Sequence, residues 1–99
     1  VLRHIVMFRF DPSASEADRQ AGADALAALK GAVPEIRTLA VGRNAMDNPG
    51  NFDMVIEVGL DSADDFPGYR DSLAHMEAWT GKVQPFVTEM ASIQFVDES

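Results

Sequence analysis

Residues 2–10, LRHIVMFRF, decide the fold. Leu2, His4, Val6, Phe8 and Phe10 alternate with Arg3, Ile5, Met7 and Arg9, and a period of two marks a β-strand. The odd face is unusual, because two apolar residues stand between two arginines, so it is expected to meet something other than water. After this strand, DPSASEAD (11–18) reads as a turn into a helix, with Ser13 and Glu16 at capping-box spacing. That helix should run from about Ala14 to Lys30 and stop at Gly31, which tolerates the left-handed conformation of a helix end. Ala17, Ala21, Ala25, Ala28 and Leu29 share one of its faces, and small residues there permit either close packing on a sheet or an unfilled space.

The rest of the chain repeats the strand and helix signals. VPEIRTLAVGRN (33–44) supplies a second strand over about Ile36 to Val41, and DNPGN (47–51) is a turn. In 52–60, Phe52, Met54, Ile56, Val58 and Leu60 alternate with Asp53, Val55, Glu57 and Gly59, a third strand. Asp61 or Ser62 caps a short helical turn that Pro67 and Gly68 should end. A second main helix starts near Asp71 with Leu73, Met76, Trp79 and Val83 as its apolar stripe, and breaks between Gly81 and Pro85. Met90 to Val96 is the last strand, with Ala91, Ile93 and Phe95 on one side and Ser92, Gln94 and Val96 on the other.

The order strand, helix, strand, strand, helix, strand predicts an α+β, ferredoxin-like βαββαβ domain over 1–99, a four-stranded antiparallel sheet with helices on one face. Its other face would expose Ile5, Met7, Leu39, Val41, Val55 and Val96, a patch that predicts a homodimer pairing sheet against sheet.

Composition narrows the chemistry. The chain has 99 residues, 8 basic against 16 acidic, and a net charge of −8, which repels nucleic acid and anionic membranes. It has no cysteine and only two histidines, so neither disulfides nor a zinc ligand set is expected. Asp61, Asp64 and Asp65 lack the glycine and glutamate of a calcium loop, and VGRN (41–44) has no phosphate-loop context. No metal and no cofactor are expected. The absence of a long apolar span and of a signal-like start predicts a soluble, cytoplasmic protein.

Proton-handling side chains concentrate in GYRDSLAHMEAW (68–79), which holds the one tyrosine, Tyr69, and His75. His4 shares the inward side of the first strand, so His4, Tyr69 and His75 could form one polar spot in an apolar cavity walled by Phe8, Phe10, Met54, Ile56, Trp79, Phe86 and Phe95. Val6, Phe8, Ile56, Val58, Trp79, Ile93 and Phe95 are expected to contact a small hydrophobic or aromatic ligand there. The same residues also fit a plain structural use, with His4 a satisfied core histidine, His75 bonded to the loop and Tyr69 closing the sheet edge.

The stretches RHIVMFRF, VPEIRTLAVGRN, FDMVIEVGLDSADDFPGY and YRDSLAHMEAW followed by VQPF, in this order and spacing, resemble the stress-responsive A/B barrel (Dabb) family across nearly the whole chain. The resemblance implies a ferredoxin-like chain that dimerises into an α/β barrel. It also implies, from a plant polyketide cyclase of the family, a cofactor-independent acid–base pair at Tyr69 and His75, with His4 as a further pocket residue. The chain departs from the family pattern in three places. SLAH (72–75) replaces HPxH, Phe95 stands where a last-strand aspartate is usual with Asp97 two residues later, and the first helix offers alanines in place of aromatics. Three functions follow: a small-molecule binding protein of this family, a cyclase or lyase with His75 as base and Tyr69 as donor, and a cofactor-free monooxygenase, for which no dedicated residues are evident.

Overall fold

The computed structural model describes residues 1–98. β1 (Leu2–Phe10) is followed by α1 (Glu16–Ala27) and the short α2 (Leu29–Ala32), then β2 (Thr38–Arg43) and β3 (Met54–Leu60). A 3-10 turn at Ala63–Asp65 leads into α3 (Phe66–Arg70) and α4 (Leu73–Ala78), and β4 (Val87–Val96) closes the chain. The four strands are antiparallel in the order β2-β3-β1-β4, the ferredoxin-like arrangement, with the helices on one face.

The even side of β1 is the core side. Leu2, Val6, Phe8 and Phe10 are buried there beside Met54, Ile56, Val58 and Leu60 of β3, under Ala23, Leu26, Leu29 and Val33 of the helical layer. Burying such a side chain is worth roughly 1.5–3 kcal/mol.

Several local expectations change. Ser15, rather than Ser13, caps α1: its hydroxyl accepts from the Asp18 N–H at 3.0 Å while the Asp18 carboxylate accepts from the Ser15 N–H. Ser13 is held instead by Asp11, which accepts from both its N–H and its hydroxyl. The helix ends at Ala27, before Lys30, and buries Gly22, Ala23 and Leu26, while Ala17, Ala21 and Ala28 stay exposed. The close approach falls at Gly22, where a Cβ would stand 3.1 Å from the Lys82 carbonyl oxygen. Pro67 and Gly68 lie inside the first turn of α3, where a missing N–H costs nothing. In α4 the supposed stripe residues Leu73 and Met76 are exposed, and Ala74 and Ala78 pack inward. The chain then widens into a π-type turn, Trp79–Val83, before the 3-10 turn at Gln84–Phe86.

Strand register corrects the open face. Directly opposed residues of an antiparallel pair share a face. Leu39 and Val41 oppose Val58 and Ile56, so they lie on the helix side and pack against the core. Val96 opposes Leu2 and also lies on the helix side. Ala91, Ile93 and Phe95 oppose Met7, Ile5 and Arg3, and together with Val55 they make the open face. Met7, Ile93 and Phe95 are 39%, 57% and 40% exposed there.

Leu60 is fully buried at the end of β3. Leu60→Ala is expected to lower unfolding stability by about 2–5 kcal/mol in urea melts; a loss below about 1 kcal/mol would contradict this core.

Candidate functional site

The segment between α3 and α4 builds most of the site. The helical run breaks at Asp71, and Ser72 ties the two pieces: its hydroxyl donates to the Tyr69 carbonyl at 3.0 Å and accepts from the His75 N–H at 3.2 Å. A six-residue separation that one continuous helix would spread around its axis is thereby folded together. The Tyr69 and His75 ring centroids lie 4.7 Å apart. His4 enters from β1, with its ring 5.6 Å from Tyr69 and 5.1 Å, edge-on, from Phe66.

These rings border a cavity of about 210 Å³ lined also by Val6, Phe8, Leu26, Ile56, Phe66, Arg70, Trp79, Met90 and Ser92. Met90 and Ser92 belong to the edge strand β4, none of whose residues is buried, so the helical layer leaves the cavity open along that strand.

Hydrogen bonding sets the state of His75. Its Nδ1 lies 3.0 Å from the Arg70 carbonyl oxygen. A carbonyl only accepts, so Nδ1 carries the proton and the neutral ring keeps its lone pair on Nε2. Burial holds His75 below the usual histidine pKa, against the opposing pull of the Arg70 carbonyl and Asp71. His4 is lowered by burial first and by the nearby His75 second. Burial pushes the Tyr69 phenol up to about 12. At neutral pH the cavity therefore presents two uncharged imidazoles and a protonated phenol. No fully buried polar side-chain atom among the described residues lacks a partner. The Tyr69 hydroxyl has no partner within the protein among those residues, so it faces the open space of the cavity.

Of the residues expected at the site, His4, Tyr69, His75, Val6, Phe8, Ile56 and Trp79 come together. Val58 does not reach it, being fully buried in the sheet opposite His4. Ile93 and Phe95 are corrected outright: the β1–β4 register turns both onto the open face, and Ser92 and Gln94 take the helix side. Phe10, Met54 and Phe86 stay in or against the core. Leu26, Phe66, Arg70 and Met90 were missed, as was Gln94, whose amide reaches His4. Arg70 and Phe66 flank Tyr69 in the sequence, a proximity that could have drawn them in. Among the described residues no group of three or more His, Asp or Glu could hold a metal ion, and no helix is long and apolar enough to cross a membrane.

Residues 2–97 match the Stress responsive A/B Barrel Domain, Dabb. The chain belongs to the Dabb family. No curated protein matches this Dabb sequence. Among solved structures, a dimeric ferredoxin-like protein of unknown function from Thermobifida fusca is 29% identical, with a TM-score of 0.86 over 95% of this chain and 88% of its own. A dimeric ferredoxin-like protein of unknown function from Bacteroides fragilis is 22% identical, TM-score 0.81, covering 95% and 93%. A hydroxynitrile lyase from Passiflora edulis is 19% identical, TM-score 0.84, covering 99% and 94%. At the identities of the last two, the likeness to this Dabb chain is one of fold.

Two titrations check the site. The chain has a single tyrosine, so an ultraviolet pH titration reports Tyr69 alone; a midpoint near 12 is expected in the folded protein, and one near 10 would show an exposed phenol. Because both histidines are lowered from 6.5, the unfolded chain binds protons first as pH falls. Stability should be full above about 6.5 and decline below it; urea midpoints rising between pH 7 and 5.5 would contradict the burial of these rings.

Proposed function

We propose that each chain holds one small carbonyl compound in the His4–Tyr69–His75 cavity and transfers a proton at the carbon beside the carbonyl, as a cofactor-independent lyase- or cyclase-type protein. The observation that carries this reading is the convergence of a tautomerically fixed base, His75 Nε2, and an inward-facing phenol on a largely apolar cavity. His75 takes the α-proton, the C–H electron pair moves toward the carbonyl, and the charge that develops on oxygen meets the Tyr69 O–H. The phenol suits this role because its raised pKa keeps it a donor.

The chain acts as a homodimer in this reading. Met7, Ile93 and Phe95 leave a contiguous apolar face uncovered on the sheet, and two similar structures are described as dimeric. An isologous pair would bury that face while leaving both cavities on the outer, helical side.

Acetophenone, a small aryl ketone with exchangeable methyl protons, serves as a probe. Its methyl protons should exchange with deuterated solvent faster in the presence of the protein, and His75→Ala should reduce the catalysed rate by roughly 10²-fold or more. A His75→Ala rate equal to the unsubstituted protein's would remove the acid–base reading, and binding without any exchange would make the protein a carrier. For the dimer, light scattering should give twice the chain mass, falling to one chain in Ile93→Glu/Phe95→Glu. A single-chain mass for the unsubstituted protein at micromolar concentration would refute the pairing.

A further inference from the structure

Gln94 Nε2 lies 2.8 Å from His4 Nδ1. An amide nitrogen donates and does not accept, so in this geometry His4 Nδ1 offers its lone pair and the proton of the neutral ring sits on Nε2. The register makes the contact possible, since Gln94 stands directly opposite His4 across the β1–β4 pair and both point to the helix side. His4 Nε2 has no partner within the protein among the described residues, yet no buried polar side-chain atom there is left unpaired, so Nε2 meets the open space of the cavity.

The geometry points to Gln94 as a positioning residue that fixes His4 as an N–H donor to the cavity, with the two histidines held in opposite tautomers. His75 donates from Nδ1 to the Arg70 carbonyl and keeps a basic Nε2, whereas His4 accepts at Nδ1 from Gln94 and presents Nε2–H. The cavity then holds one base and two neutral donors, the Tyr69 hydroxyl and His4 Nε2–H. Two neutral donors, with the nearby Arg70 guanidinium already held by the Asp71 carboxylate, match a ligand oxygen that gains negative charge only during reaction, such as a carbonyl becoming an enolate, more than a permanent anion. The tautomer assignment stands on hydrogen bonding alone; its catalytic consequence rests on the proton-transfer reading above.

The test is nitrogen-15 NMR of the uniformly labelled full chain without ligand, with His75→Ala used to assign the two rings. His4 should show an unprotonated Nδ1 and a protonated Nε2, and His75 the reverse. Gln94→Glu replaces the donor with an acceptor-only carboxylate and should move the His4 proton to Nδ1. Gln94 lies on the exposed edge strand, so the variant is expected to fold, and the measurement on the unsubstituted chain decides the assignment even if it does not. A protonated Nδ1 on His4 in the unsubstituted protein, or a His4 tautomer unchanged by Gln94→Glu, overturns the inference. With the expected tautomers in place, His4→Phe should slow acetophenone exchange by roughly 10²-fold, and an unchanged rate would refute the donor role. Expected tautomers with no exchange in the unsubstituted protein would instead sink the proton-transfer function and leave the positioning by Gln94 intact.

Discussion

The pairing of β1 with β4 is the constraint on which the rest of the molecule depends. β1 lies between β3 and β4 and uses both of its faces, one for the core and cavity, the other for the uncovered side of the sheet. Side chains alternate with a period of two, so a slip of one residue in β4 would exchange every assignment. In the register found, Gln94 reaches His4 while Ile93 and Phe95 leave the cavity entirely. The same register separates an apolar surface from a pocket that lies on the other side of the sheet.

The second determinant is local. A continuous helix through 66–78 would not hold Tyr69 and His75 ring to ring. The break at Asp71 and the Ser72 hydroxyl make a compact corner in which the Arg70 carbonyl also orients the imidazole. Desolvation then sets the charge state of the rings: lowering two imidazoles and raising one phenol leaves all three uncharged at neutral pH. Both effects follow from placing polar rings beside Phe8, Phe66 and Trp79 under a partly covering helical layer.

Alternation in β1 and β3 was legible from sequence because one face of each is packed by helices, and that pressure leaves a clear apolar period. β2 and β4 are edge strands with weaker asymmetry. In β4 the more apolar side, Ala91, Ile93 and Phe95, suggested an inward face, although the uncovered sheet face also selects apolar residues. Leu39 and Val41 went astray for the same reason, since no pattern in six residues tells a core side from an open apolar side. His4, Tyr69 and His75 could be singled out by residue type and spacing. Gln94 could not, because its role arises from a pairing ninety residues away in the chain. The helix cap at Ser15 lay two residues from the expected Ser13, as two serines there compete and Asp11 captures the first.

The most direct test of the account is a structure of the protein with a planar enolate analogue, such as a small aromatic phenol, diffused into it. The account places the analogue's oxygen within hydrogen-bond distance of the Tyr69 hydroxyl and His4 Nε2, with a ring carbon facing His75 Nε2. An analogue bound only on the open sheet face, or a cavity that closes around its own side chains and admits nothing, would contradict it.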